Sequence, residues 1–302
     1  RDAALFFYKS FTEKANKGYS YMKSRGIRPE ILKKFGIGYA DESWNSLYEH
    51  LTEKGYPVDK LIEVGLVSES KGRYYDKFRN RVIFPIINTA GKVIGFGGRA
   101  IDSNDNPKYL NSPESKVFRK KNNLYGLNLS RASVGKEGFI ILVEGYMDTI
   151  SLYQGGITNV VASLGTALTE NQSHLIKRYT KDVVLSYDSD SAGIAAAIRG
   201  MEILHNEGLK VKIIKISGGK DPDELIRNEG REAFRKLVEN ALSFGDYKLN
   251  YIKSKYNLKD DDSRIECIKE IAESLSKLGA VEQDIYIKKV SKELSVSEAA
   301  LR

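Results

Sequence analysis

Three acidic motifs dominate the chemistry this chain could carry. Glu144 closes the apolar run Phe139-Ile-Ile-Leu-Val143. Asp188 and Asp190 follow Val183-Val-Leu-Ser-Tyr187, and Asp221 and Asp223 follow Val211-Lys-Ile-Ile-Lys-Ile216 across a short Gly-rich turn. Like charges gathered at one place repel unless a cation lies between them, so the set is read as a divalent-metal site. Oxygen-only ligands suit Mg²⁺ or Mn²⁺ and not zinc. Two such ions about 3.5–4 Å apart would serve phosphoryl or nucleotidyl transfer, one activating a hydroxyl and the other neutralising the leaving pyrophosphate. Taken alone, Asp188-Ser-Asp190 is more often a surface turn or a helix cap than a metal site. Its recurrence with Glu144 after successive strands is what raises it above that.

The elements that must position these groups follow from hydrophobic periodicity. Between 138 and 225 the pattern alternates: strand 139–143, helix 146–154 stopped by Gly155-Gly156, strand 158–162, a helix capped by Thr169, strand 183–187, a helix over 191–206, and strand 211–216. Such alternation predicts right-handed crossovers and a parallel sheet, whose functional edge lies beyond the strands' carboxyl ends. Residues 1–67 read as short helices broken by glycine, with Trp44 assigned to core packing beside Leu47, Tyr48 and Leu51. Residues 72–135 are β-rich, with a hairpin turning at Asn88-Thr-Ala-Gly91, and 226–302 read as a small helical bundle. The expected class is α/β, in three parts: a basic α+β segment over 1–135, a parallel-sheet αβ domain over 136–225, and a helical bundle over 226–302.

At 302 residues with 41% hydrophobic and 29% charged residues, the chain has the composition of a globular protein. No run approaches the ~20 apolar residues of a membrane span. The sequence opens on Arg1-Asp2-Ala3 without an initiator Met, and flanking domains are expected outside it. The single cysteine, Cys267, excludes an internal disulfide and a Cys-rich zinc site, and His50, His174 and His205 are read as structural. The net charge of +8 is uneven: Lys71 to Lys136 holds fourteen Lys/Arg against four Asp/Glu, an excess of ten. Such a concentration attracts polyphosphates or a nucleic-acid backbone, or forms a solvated face. No dinucleotide fingerprint and no Walker A sequence is present; Gly95-Phe-Gly-Gly98 lacks the strand–turn–helix context of the former.

Several segments resemble a known family. Glu144-Gly-Tyr-Met-Asp148, Ser163-Leu-Gly-Thr166, the Asp188/Asp190 segment running to Gly193, and Asp221-Pro-Asp223 resemble the TOPRIM domain of primases, topoisomerases and some nucleases. Upstream, Arg79-Asn-Arg-Val-Ile-Phe-Pro-Ile86, Val93-Ile-Gly-Phe-Gly-Gly-Arg99, Lys108-Tyr-Leu-Asn-Ser-Pro-Glu114 and Leu124-Tyr-Gly126 look like the bacterial DnaG-type primase. The likeness reaches back to Gly18-Tyr-Ser-Tyr-Met-Lys-Ser-Arg-Gly26 and on into the bundle.

The resemblance implies synthesis of short RNA primers from NTPs on single-stranded DNA, by two or more Mg²⁺ or Mn²⁺ ions. It assigns metal binding to Glu144, Asp188 and Asp190 with Asp221 and Asp223 beside them. Lys108 joins Glu144, Asp188 and Asp190 in the catalytic set. Nucleotide and DNA binding are assigned to Arg79, Arg81, Arg99, Lys108, Asn111 and Lys120, with Lys77 and Lys121 ranked lower. A bacterial cytoplasmic monomer at the replication fork is expected, holding an RNA–DNA hybrid product. The Cys/His zinc domain and the helicase-binding domain are both expected to lie outside the chain. Three rivals stand beside this reading: TOPRIM-type DNA cleavage, a phosphohydrolase with Asp188 as nucleophile, and a binding module with a degenerate site. Tyr74, Tyr75, Phe78, Phe96 and Tyr109, interleaved with basic residues, are candidates for base stacking.

Overall fold

The computed structural model describes residues 1–13, 16–102, 105–165, 167–187, 191–216 and 221–302, with the backbone alone at 191 and 192. The chain divides into two compact units, Arg1–Asn240 and Ala241–Arg302.

In chain order the first unit begins with α1 (Asp2–Thr12), α2 (Lys17–Ser24), α3 (Pro29–Phe35), β1 (Gly38–Ala40), α4 (Ser46–Glu53) and α5 (Val58–Glu63). A two-stranded hairpin follows, β2 (Val67–Ser70) and β3 (Arg73–Asp76), which the periodicity did not reveal. Then come β4 (Arg81–Ile87), β5 (Val93–Ala100), β6 (Tyr109–Asn111) and α6 (Leu127–Glu137). Strands β1, β4, β5 and β6 form an antiparallel sheet in that order. Helices α1 and α4 and strands β4 and β5 share one apolar core that includes Phe7, Leu47, Leu51, Phe78, Ile83 and Phe96.

The αβ alternation continues with β7 (Phe139–Val143), α7 (Tyr146–Gln154), β8 (Val160–Ala162), α8 (Glu170–Lys177), β9 (Asp182–Leu185), α9 (Ser191–Asn206), β10 (Lys210–Ile213) and α10 (Pro222–Glu239), the last kinked at Gly230. Strands β10, β9, β7 and β8 lie side by side, all parallel, as the alternation requires. The near-continuous burial of β7, β8 and β9 explains why they read as unbroken apolar runs, while β10 alternates exposed lysines with buried Val211 and Ile213. Thr169 caps α8 as expected, its side chain accepting from Gln172 N, with Gln172 reaching back in a capping box. A bridge between Tyr125 and Ala162 stitches the basic segment to β8.

The expected boundary at 225/226 falls inside α10, and α10 packs on α7 within the first unit. Ile226 reaches Gly155 so closely that a Cβ there would meet its side chain. The second unit is three helices, α11 (Phe244–Ser254), α12 (Asp261–Leu275) and α13 (Ala280–Leu294), around a core of Leu249, Ile252, Cys267, Ile271, Leu275, Ile287, Val290 and Leu294. Cys267 is fully buried there.

Candidate active site

The carboxyl end of β7 opens onto a cavity of about 300 Å³ in the first unit. Glu144, Asp148, Asp221 and Asp223 line it from the parallel-sheet side, and Arg25, Arg99, Lys108, Tyr109 and Asn111 from the basic side. Acidic and basic groups from segments far apart in sequence thus face one space, at the small end of the range of small-molecule pockets.

Glu144 sits on the turn between β7 and α7. Gly145 N-caps α7, and Asp148 accepts from its backbone N at 3.1 Å. A Cβ at Gly145 would crowd the Asp148 carboxylate, so glycine keeps this turn close to the helix end. Tyr146 then turns back toward the basic sheet. Its ring stacks on Phe84 at 4.9 Å and meets the Tyr125 edge at 4.6 Å. Its hydroxyl donates to Asn111 Oδ1 at 2.7 Å, and Asn111 Nδ2 donates to Leu164 O at 2.9 Å. Burial raises the Tyr146 phenol far above its ordinary range, so it remains a neutral donor. Gly97 makes this approach possible, because a Cβ there would collide with the Tyr146 ring. The glycines of β5 therefore serve packing: Gly98 gives room to Phe78 and Gly95 to Phe118.

Asp223 is buried to 1% exposure on the first turn of α10. One carboxylate oxygen accepts from Ser151 Oγ at 2.5 Å and Arg227 Nε at 3.0 Å, and the other pairs with Arg25. Burial opposes the Arg25 charge, but the Asp223 carboxylate together with Tyr21 and Tyr109 more than offsets it, and the net shift is upward. Asp221 is the N-cap of α10, accepting from Glu224 N at 2.6 Å. The two carboxylates expected to act alike are thus held in different ways: Asp221 at a helix end on the cavity, Asp223 between two guanidinium groups.

The basic residues divide similarly. Arg99 and Lys108 line the cavity, Arg99 lying over the Tyr21 ring at 4.3 Å. Asn111 lines it too, its Nδ2 bridging β6 to the loop after β8 and its Oδ1 accepting from Tyr146 of α7. Arg81, expected to face nucleotide, is instead buried at 6% exposure. Its Nη1 donates to Pro107 O at 2.8 Å and Gly98 O at 3.2 Å, which makes it a strut of the antiparallel sheet. Arg79 packs over Trp44 and Tyr75, away from the cavity lining. Lys77 is half-buried beyond β3, and Lys120 and Lys121 lie on a short 3₁₀ turn whose carbonyls accept from Gln172 and Thr169. None of these three lines the cavity. Asp188 and Asp190 lie outside the described residues.

Sequence reasoning singled out neither Arg25 nor Tyr146. Both fall inside segments quoted for their family likeness, which was the available signal. Among the described residues, no group of three or more His, Cys, Asp or Glu side chains could hold a metal ion. Glu144 and Asp221 supply oxygen donors on the cavity wall, of the kind a hard divalent cation takes.

Comparison with known proteins identifies two matching domains in this unit. Residues 6–131 match the DNA primase catalytic core, N-terminal domain, and residues 141–226 match a Toprim-like domain. A DNA primase domain from Pseudomonas aeruginosa is 33% identical with a TM-score of 0.87, covering 99% of this chain and 96% of that one. The Escherichia coli primase catalytic core is 34% identical with a TM-score of 0.84, covering 97% and 96%. The chain belongs to the bacterial DnaG-type primase family. Its fold is that of the primase catalytic core, as the sequence resemblance implied. The DNA primase of Clostridium acetobutylicum is 50% identical over 301 residues, which are 99% of this chain and 50% of that protein. The chain therefore spans about half the length of the curated primases it matches. Residues 246–299 match the DnaB-helicase binding domain of primase, so the expectation that such a domain lies outside the chain is corrected.

Proposed function

We propose that this chain is the RNA-polymerising core of a replicative primase, joining ribonucleotides on a single-stranded DNA template. The cavity carries the reading: it sets the carboxylates of Glu144 and Asp221 opposite the cations of Arg25, Arg99 and Lys108. Such an arrangement suits a polyphosphate neutralised on one side by protein cations and on the other by metal. The solved structure of a DnaG primase catalytic domain bound to ssDNA, 33% identical with a TM-score of 0.84, supports the template class.

In this reading Glu144, Asp188 and Asp190 hold Mg²⁺ or Mn²⁺, two or more ions, with Asp221 beside them. Bound there, the metal supplies charge neutralisation at the reacting phosphates. Lys108 and Arg99 hold the β- and γ-phosphates of the incoming NTP, and Arg25, fixed by Asp223, adds a third cation. The primer 3′-oxygen forms a bond to the α-phosphorus, the bond to the β-phosphate oxygen breaks, and pyrophosphate leaves. The hydroxyl proton passes to a Glu144 carboxylate oxygen or to water. Fixed cations aimed at the departing negative charge lower the barrier without reorganising during the reaction. Asn111 and Tyr146 keep the basic sheet and the acidic edge in register. The hybrid product leaves along the basic segment, and the helicase docks on the 246–299 domain. A cytoplasmic monomer completes the reading.

The test is direct. The chain is incubated with single-stranded template, labelled ribonucleotides and Mg²⁺ or Mn²⁺, and short RNA is sought. Relaxation or nicking of circular DNA in place of RNA would return the reading to TOPRIM-type cleavage.

A further inference from the structure

A second cavity, of about 470 Å³, lies in the first unit where the α2–α3 loop, the end of α7 and the first turns of α10 meet. It shares one lining residue, Arg25, with the cavity at Glu144. Its wall holds three arginines, Arg25, Arg28 and Arg227; among the described residues no carboxylate lines it, and Ile226 alone brings an apolar side chain. Hydrogen bonds between segments hold the wall in shape. Arg28 N donates to Gln154 Oε1 at 2.7 Å, and Gln154 Nε2 donates to Gly26 O at 2.9 Å. Arg28 Nη2 reaches Gln154 O at 3.3 Å, which ties the loop to the end of α7.

Guanidinium groups around one space repel one another, and the protein offsets this only in part. Asp223 lies beneath the wall, paired with Arg25 and, at 3.0 Å, with Arg227. Glu30 meets Arg28 at 3.0 Å, but both side chains are more than half exposed, and a pair of that kind is weak enough for another anion to displace. The Nε of Arg25 has no hydrogen-bond partner among the described residues. The two hydroxyls on the wall are spent elsewhere: Ser24 Oγ donates to Tyr21 O at 2.8 Å and Ser151 Oγ to Asp223. Recognition of a ligand therefore falls to the guanidinium groups.

We infer that this cavity binds a phosphate-bearing anion, at a second site that shares Arg25 with the active site and needs no metal. The wall selects the class of ligand. An apolar molecule would find one apolar side chain, and a cation would meet arginines of its own sign. Planar guanidinium forks match the oxygens of a phosphate. Metal independence follows from the contrast between the two cavities: Glu144, Asp148 and Asp221 oppose a phosphate in the active site until a divalent ion lies between, and no such group lines the second. Sharing Arg25 also couples the sites. An anion here repels NTP phosphates across that guanidinium and draws on the same positive charge, so each ligand weakens the other's binding. The coupling rests on the proposed contact of Arg25 with NTP; the second site does not.

The chain is titrated calorimetrically with inorganic pyrophosphate in metal-free buffer, as wild type, Lys108→Ala and Arg28→Glu. Wild type and Lys108→Ala should bind alike, and Arg28→Glu about tenfold or more weakly. Arg28 is exposed, so its variants should unfold at the wild-type temperature, and Arg28→Ala repeats the test without adding a charge. Titration with ATP separates the sources of the phosphate: tighter Arg28-dependent binding than pyrophosphate marks a nucleotide, and weaker binding marks the free anion. Inorganic phosphate, which the reaction neither consumes nor releases, should raise KM for NTP about fivefold in wild type and less than about twofold in Arg28→Glu. Without added phosphate the two chains should make RNA at the same rate. No metal-free binding, or binding lost in Lys108→Ala and kept in Arg28→Glu, would overturn the second site and leave RNA synthesis standing. Equal KM shifts in the two chains would overturn the coupling. No RNA from a wild type that still binds pyrophosphate through Arg28 would refute the polymerase reading and not the site.

Discussion

Replacing Asp223 with asparagine separates two roles that this carboxylate could play. Its oxygens receive Ser151, Arg227 and Arg25, so the substitution keeps shape while removing the counter-charge of two arginines. Removing one partner of a fully buried ion pair costs about 3–5 kcal/mol. Arg25 and Arg227 are 30% and 34% exposed and regain part of their hydration, so a loss of roughly 2–3 kcal/mol is expected once screening is allowed for. For a unit of this size that lowers Tm by about 5–10 °C. The assay is thermal unfolding of wild type and Asp223→Asn in EDTA, repeated in Mg²⁺. A clamp predicts the loss in both conditions, together with a raised KM for NTP because Arg25 loses its anchor. A metal ligand predicts the opposite in EDTA, since removing one of several crowded carboxylates relieves repulsion. A variant as stable as wild type in EDTA, or more stable, refutes the clamp.

Two further predictions concern the scaffold. Burial pushes the Asp76 carboxyl up to about 6, against backbone hydrogen bonds from Leu47 and Tyr48 at 2.8 Å each. The folded chain then holds this proton more tightly than the unfolded one. The contribution is therefore complete below about pH 4 and is lost as pH rises through about 6, by up to ~3 kcal/mol. Comparing unfolding of wild type and Asp76→Asn from pH 4 to 7 isolates it, and parallel curves would contradict the assignment. Gly97→Ala should cost about 1–3 kcal/mol by driving Tyr146 off Phe84 and Asn111. Its effect in denaturant should be markedly non-additive with Tyr146→Ala; additive losses would mean that the two do not meet.

The parallel-sheet half was legible because β7, β8 and β9 are buried on both faces, giving apolar runs whose ends mark the functional edge. Strand β7, helix α7 and the Thr169 cap follow the expected register. The basic half was less so. Burial decides between a strut and a contact residue, and composition does not carry burial: Arg81 and Arg99 sit on neighbouring strands in the same kind of sequence, yet only Arg99 reaches the cavity. Partners distant in sequence were invisible for the same reason. Arg25 meets Asp223 across 198 positions, and Tyr146 meets Asn111 across 35. Trp44 fits a helical stripe by spacing, but it precedes α4 and so escapes the face that the stripe buries.

The proposed reaction is RNA synthesis by a carboxylate-held metal opposite fixed cations. Its most direct measurement is labelled-ribonucleotide incorporation on single-stranded template by wild type and by the Asp188→Ala/Asp190→Ala double variant, with oligonucleotide binding measured alongside. Short RNA is expected from wild type, none from the double variant, and single-strand binding within about twofold between them. Undiminished synthesis by the double variant would contradict it.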